Sequence, residues 1–158
     1  MRFVFSFATS ILFLTSCDDQ RVFEKYNDLD GRQWSVHEKP SFEFEISDTT
    51  LSYNLYCNVR NSSTFPYSRI FIGSTVADST GNELRKELLT LNLFDRKTGK
   101  PFGSSALGDI FDHRIQILSG YSFKSVGRYN VTFEQFMRQD TLSGVLSIGV
   151  RVEKVKPK

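Results

Sequence analysis

The sequence predicts an all-β chain, an antiparallel β-sandwich of jelly-roll-like form, preceded by a signal peptide and a short tether. Three observations predict it. Phenylalanine and tyrosine are abundant, with 15 and 6 among 158 residues, β-branched residues are frequent, and helix-favouring alanine is scarce. Apolar and polar residues alternate in runs of strand length. Turn chemistry separates those runs about every eight to twelve residues, the spacing of sandwiches and barrels. No run of long amphipathic helices interrupts them.

In chain order, Val22-Phe23-Glu24-Lys25-Tyr26 alternates and predicts a short edge strand, closed by the turn cluster at residues 27–31. Gln33-Trp34 precedes Lys39-Pro40, so that stretch is expected to be irregular or at an edge, with Trp34 capping one end of the core. Phe42, Phe44 and Ile46 point one way and Glu43 and Glu45 the other, a half-buried strand. Asp48-Thr49-Thr50 turns the chain into a strand whose inner face is Tyr53, Leu55, Cys57 and Val59. After a loop at residues 61–66, the continuous apolar centre of residues 68–76 predicts a central strand.

Asp78-Ser79-Thr80-Gly81-Asn82 is a turn. Residues 83–89 fit a helical turn as well as a strand. The alternation of Leu89, Leu91 and Leu93 with Thr90 and Asn92 selects a strand over residues 87–94. Residues 95–100 form a tight turn, and residues 103–112 a small-residue loop without the lysine or spacing of a phosphate loop. Strands follow over residues 113–118 and 128–133, the latter with Tyr129, Val131 and Phe133 inward. Residues 134–138 either end that strand or make one helical turn. Val145, Ile148, Val150 and Val152 mark a last strand, in which Gly149 is expected to mark a bulge.

Ahead of this domain stand Met1-Arg2, an apolar run from Phe3 to Phe13, and Leu14-Thr15-Ser16-Cys17. One positive charge, a short apolar stretch and a small-residue cleavage site make a secretory signal peptide. The run is shorter than the roughly 20 apolar residues of a membrane-spanning helix. Its end resembles the bacterial lipobox, whose cysteine is acylated and becomes the new N-terminus. The expected organisation is a signal peptide at 1–16, a lipidated Cys17 with a tether over 17–30, and one sandwich domain at 31–158. If lipid consumes Cys17, Cys57 has no disulfide partner and is expected to pack inward as a small hydrophobe.

No catalytic constellation is found. His37 and His113 stand apart from each other and from the cysteines, and no Gly-x-Ser-x-Gly elbow occurs. Glu43 and Glu45 read as a solvated strand face. Asp109 and Asp112 share a loop that could hold calcium, but two acids are few for that ion. No cofactor or metal is expected. The net charge of +2 is spread along the chain, and no basic block points to nucleic acid. Trp34, Phe65, Tyr67 and Tyr121 fall at or near loops, which leaves glycan binding through stacked aromatics as the alternative function.

Several short motifs occur in a fixed order: Val59-Arg60-Asn61, Phe65-Pro66-Tyr67-Ser68, Gly127-Arg128-Tyr129, Glu134-Gln135-Phe136-Met137-Arg138, Leu142-Ser143-Gly144-Val145 and Gly149-Val150-Arg151-Val152-Glu153. With the lipobox, this set resembles the gliding-motility lipoprotein family of Bacteroidetes, the GldH type. The resemblance implies a non-enzymatic envelope lipoprotein associated with gliding and type IX secretion, whose partners are the membrane, through Cys17, and other envelope proteins. It implies the outer membrane, with Asp18 and Asp19 resembling a sorting signal. Arg60, Asn61, Gln135 and Arg138 are the motif residues expected either to tie loop carbonyls together or to bind a partner. Thr49, Ser79 and Thr141 each follow an aspartate at an expected turn and resemble O-glycosylation acceptors of exported proteins in that phylum.

Overall fold

The computed structural model describes residues 18–105 and 108–155; Cys17 and the signal segment lie outside the described residues. In chain order the elements are β1 (Arg21–Asp28), a 3-10 turn (Asp30–Arg32), β2 (Gln33–Ser35), β3 (Ser41–Ile46), β4 (Tyr53–Ser62), β5 (Arg69–Asp78), β6 (Glu83–Asn92), β7 (Ile110–Tyr121), β8 (Gly127–Gln135), β9 (Thr141–Ser143) and β10 (Val145–Lys154). Two four-stranded sheets, ordered β1-β10-β4-β7 and β3-β8-β5-β6, enclose the core, and β2 pairs with β9 in a small ribbon. All these pairings are antiparallel.

The pairs are nested: β1 with β10, β2 with β9, β3 with β8, β4 with β7, and β5 with β6. The chain is thus one long hairpin rolled over on itself, and β10–β4 and β8–β5 contacts close the sheets. That is the jelly-roll plan. Strand burial follows the alternation: Phe42, Phe44 and Ile46 of β3 are buried while Ser41, Glu43 and Glu45 are exposed. They face Leu55, Cys57 and Val59 of β4 and Ile148, Val150 and Val152 of β10 in a single hydrophobic core.

Trp34 is fully buried opposite Leu142 in the β2–β9 ribbon, and its indole N–H donates to the Glu38 carbonyl at 2.9 Å. It caps the core, as its sequence position suggests. Complete burial of a side chain this large contributes upwards of about 2 kcal/mol. β5 is central, flanked by β6 and β8. Residues 83–86 extend β6, because β5 offers them partners as far as Ala77. Residues 136–138 are neither strand nor helix.

Gly149 is not at a bulge. It keeps regular register between Tyr26 and Asn58, and the register shift in β10 falls between Val145 and Ser147. The glycine serves close approach instead. A Cβ there would meet the Tyr26 ring at 2.7 Å and the Lys25 carbonyl oxygen at 2.8 Å.

Antiparallel nesting also defines two ends. β1 starts and β10 stops at one, together with the connections at residues 47–52, 79–82 and 122–126. At the other lie the β2–β9 ribbon and the connections at residues 63–68, 93–105 and 136–140. Gly149→Val should therefore cost about 1–3 kcal/mol in equilibrium denaturation, an overpacking cost. Adding Tyr26→Ala should restore only part, since the Lys25 carbonyl still blocks the new side chain.

Candidate functional site

Two outer faces carry organised side chains. On the first sheet, register aligns outward residues across strands: Glu24 beside Arg151 beside Tyr56, and Tyr26 beside Gly149 beside Asn58 beside Arg114. Arg151, only 7% exposed, donates to Glu24 at 2.8 Å and to Glu153 and Asp18 at shorter range. Arg114 donates to Asn58 at 3.1 Å, lies 3.5 Å from Glu24, and stacks over Tyr56. Burial works against the Arg151 charge, but the hydrogen bonds to Asp18, Glu153 and Glu24 outweigh it and raise its pKa. The Arg151 hydrogen bond in turn lowers the Asp18 pKa.

The second sheet carries an apolar surface. Alternation sends Phe133 and Gln135 inward and Phe136 outward. Buried Gln135 donates through its Nε2 to the Gln139 carbonyl at 2.7 Å and accepts from the Met137 amide at 2.9 Å. Those two bonds shape the turn that holds Phe136 out. The Phe136 ring lies over Gly73, where a Cβ would come within 2.6 Å of it, and the Phe136 amide donates to the Phe71 carbonyl at 2.9 Å. Leu88 sits opposite Gly73 in β6. Leu88 is 57% exposed and Phe136 56%. Shallow grooves flank the ring, one lined by Tyr67, Phe71, Met137 and Arg138, another by Thr75, Lys86, Leu88 and Glu134.

The expected site residues fall as follows. Arg60 makes a two-point ion pair with Asp112, at 2.7 and 3.2 Å, and lies over the Tyr26 ring at the outer face of the first sheet. Asn61 is buried, donates to the Ser62 carbonyl, and its Oδ1 finds no partner among the described residues. Gln135 ties a loop as proposed for it. Arg138 is exposed, and no hydrogen bond or ion pair to it occurs among the described residues. Arg60 and Asn61 thus belong to β4 of one sheet, whereas Gln135 ends β8 of the other and Arg138 lies in the connection after it. The structure does not merge the four into one constellation.

Asp19 is exposed, whereas the Asp18 carboxylate is held by Arg151. Of the acceptor-like residues, Ser79 is exposed in a turn, Thr49 is half-buried, and Thr141 opens β9 rather than lying in a turn. In the Ser79 turn, hydrogen bonds from the Thr80 hydroxyl and from Asn82 hold the Asp78 carboxyl at about 2.

Trp34 and Phe65 are buried, and Phe65 meets Tyr67 at 70°, so these rings form no coplanar exposed platform. Asp112, half of the calcium reading, is engaged by Arg60. Cys57 is fully buried, and burial raises its thiol pKa. His113 packs against Gly103, and burial lowers its pKa, with Asp112 opposing.

Comparison with known proteins bears on the whole domain. The family model described as GldH lipoprotein matches residues 21–152. The chain is 27% identical over 158 residues to a gliding motility lipoprotein GldH homolog of Christiangramia forsetii, covering 96% of this chain and 94% of that one. It is 26% identical over 153 residues to gliding motility lipoprotein GldH of Flavobacterium johnsoniae, covering 90% and 91%. Among solved structures, dimeric latent PorU from Porphyromonas gingivalis aligns with 85% of this chain and 13% of its own, at 10% identity and a TM-score of 0.36.

The Arg151 cluster gives a stability test. Arg151→Met removes the nearest counter-charge of Glu24 and Glu153, leaving them Arg114 at 3.5 and 3.8 Å, and should cost about 1–3 kcal/mol in chemical denaturation. Asp18 gives a pH test. Its folded pKa lies below the ordinary 3.8, so its contribution is fully present above that value and disappears as pH falls through the lowered one. Exchange protection of the Lys154 amide, which donates to the Gln20 carbonyl beside Asp18, should drop over that window, and Asp18→Asn should remove the step.

Proposed function

Because the chain belongs to the GldH lipoprotein family, we propose that it is a non-enzymatic, lipid-anchored component of the gliding-motility and type IX secretion machinery, acting in assembly or as an accessory. In this reading acylated Cys17 holds it on the outer membrane. Its partners are other envelope proteins of that machinery, engaged through the surface around Phe136.

The observation that carries the docking surface is the pairing of Phe136 and Leu88. Two large apolar side chains, each more than half exposed, stand side by side on the outer face of the second sheet. Tyr67, Phe71 and Met137 continue the patch beneath them. Contiguous apolar surface of this kind, rimmed by charge, marks interaction sites on soluble domains. The rim here is Lys86, Glu134 and Arg138, and Glu134 is paired with Lys39 at 3.0 Å. The Gln135 bonds that hold the turn show that Phe136 is presented rather than loosely displayed. Phe102 is exposed too, but in the β6–β7 connection.

Two of the groups that the sequence offers for chemistry are closed off. The Cys57 thiol is sealed in the core, and His113 is buried with its Nε2 unpartnered among the described residues. For sorting, Asp19 is the freer half of the acidic pair. A sorting factor that reads both aspartates must take Asp18 from Arg151.

The test is a crosslinked pull-down from envelopes using the native lipidated protein. Phe136→Asp should abolish recovery of motility and secretion proteins while stability stays within about 0.5 kcal/mol, as for surface substitutions generally. Arg138→Ala should weaken recovery and leave the melting temperature unchanged, since its guanidinium ties no loop. Polysaccharide recovered without any such protein would overturn the proposal.

A further inference from the structure

We infer that the end of the sandwich where β1 begins rests on the bilayer surface, with the tip of the β7–β8 connection, Lys124-Ser125-Val126, seated in the lipid headgroups. The inference rests on the acylated-Cys17 reading above and adds an orientation and a contact to it.

Chain length is the first argument. Three residues separate Cys17 from Arg21, the first residue of β1, and the four Cα-to-Cα steps reach at most about 14 Å. Little of that reach is slack. Asp18, next to the cysteine, is bound to Arg151, and its carbonyl accepts from the Arg21 amide at 3.1 Å. The Gln20 carbonyl accepts from the Lys154 amide at 2.8 Å. An acyl chain on Cys17 therefore enters the membrane beside this end of the domain and no other.

The second argument is what this end presents. From Gln20 and Lys154 a line of contacts crosses the rim: the Val155 amide donates to the Ser52 carbonyl, and the Ser52 and Ser122 hydroxyls are 3.1 Å apart. Ser122 leads into the connection. Its next residue, Phe123, is buried against Phe44, Tyr53, Tyr121 and Tyr129. The Tyr129 hydroxyl donates to the Ser125 carbonyl at 2.7 Å.

The loop is thus pinned from below, yet Val126 is 63% exposed with exposed Lys124 two residues before it. A rigid apolar tip beside a lysine suits the headgroup boundary, where the ammonium reaches phosphate and the methyls enter the acyl margin. Arg21 and Lys154 lie on the same rim, while the nearby Asp48 and Asp78 spend their carboxylates on their own turns. The connection at residues 136–140 lies at the opposite end, so the Phe136 turn faces away from the lipid.

Depth measurement tests this. Lipidated Val126→Cys and Lys97→Cys proteins carry an environment-sensitive fluorophore; buried Cys57 does not compete for label. Each is reconstituted in phosphatidylethanolamine–phosphatidylglycerol vesicles containing a spin-labelled lipid. Lys97 is exposed in the β6–β7 connection at the far end. The expected result is co-flotation of both, with fluorescence lost to the spin label at position 126 and retained at 97. Co-flotation with no loss at 126, or equal loss at both positions, overturns the inference and leaves the anchor reading intact. Failure to float overturns the anchor reading and the inference with it.

Discussion

The insertion of β10 between β1 and β4 is the constraint on which the rest of the molecule depends. β10 is the last strand, and its neighbours come from the first half of the chain. Its inner row, Ile148, Val150 and Val152, is fully buried and forms the middle of the core on that side. The first sheet cannot be completed until the end of the chain has been threaded into it. That places the fold among non-local β topologies, which form slowly because loop closure comes before the contacts that reward it. The same insertion brings the two ends of the domain together and sets Arg151 within reach of Glu24 and Asp18.

Much of this architecture was legible in the sequence, because one-sided burial writes itself as alternation. Phe42, Phe44 and Ile46, or Tyr129, Val131 and Phe133, identify both strand and face without knowledge of partners. Cys57 was legible for the same reason. Strand order and register were not, since alternation says which face a residue takes and nothing about who stands beside it. Apart from Glu153, which shares a strand and a motif with Arg151, the Arg151 cluster is a product of register: Glu24, Asn58 and Arg114 come from three other strands. Gly149 was misassigned for a related reason. A glycine in a strand marks either a bulge or a close approach, and only the Tyr26 ring decides between them.

The Phe136 surface is an intermediate case, and its signal lay in exceptions to alternation. Extending the inward series Tyr129, Val131, Phe133 by one step puts polar Gln135 in an inward slot and apolar Phe136 in an outward one. The inward series Leu89, Leu91 likewise puts Leu88 on the outer face. Gly73, in the middle of β5, removes a side chain from that face. Each exception taken singly reads as a strand end or as tolerance. They converge only when pairing sets Gly73 between Leu88 and Glu134. Local departures from a pattern the rest of the fold obeys are where function is expected to sit.

The two organised faces differ in how they are stabilised, and the difference suits the roles assigned to them. Around Arg151, opposite charges neutralise one another in a partly desolvated setting, so the face is saturated and has little left to offer a partner. Around Phe136, Gln135 satisfies the Met137 amide and the Gln139 carbonyl, and what is exposed is the apolar area of Phe136 and Leu88. A saturated polar cluster beside the chain's start restrains how the domain leaves its anchor. An unsaturated apolar surface on the outer face of the other sheet gains by being covered. Nesting of the strands keeps the two at a fixed separation, because every connection between the ends is a strand of one rigid sandwich.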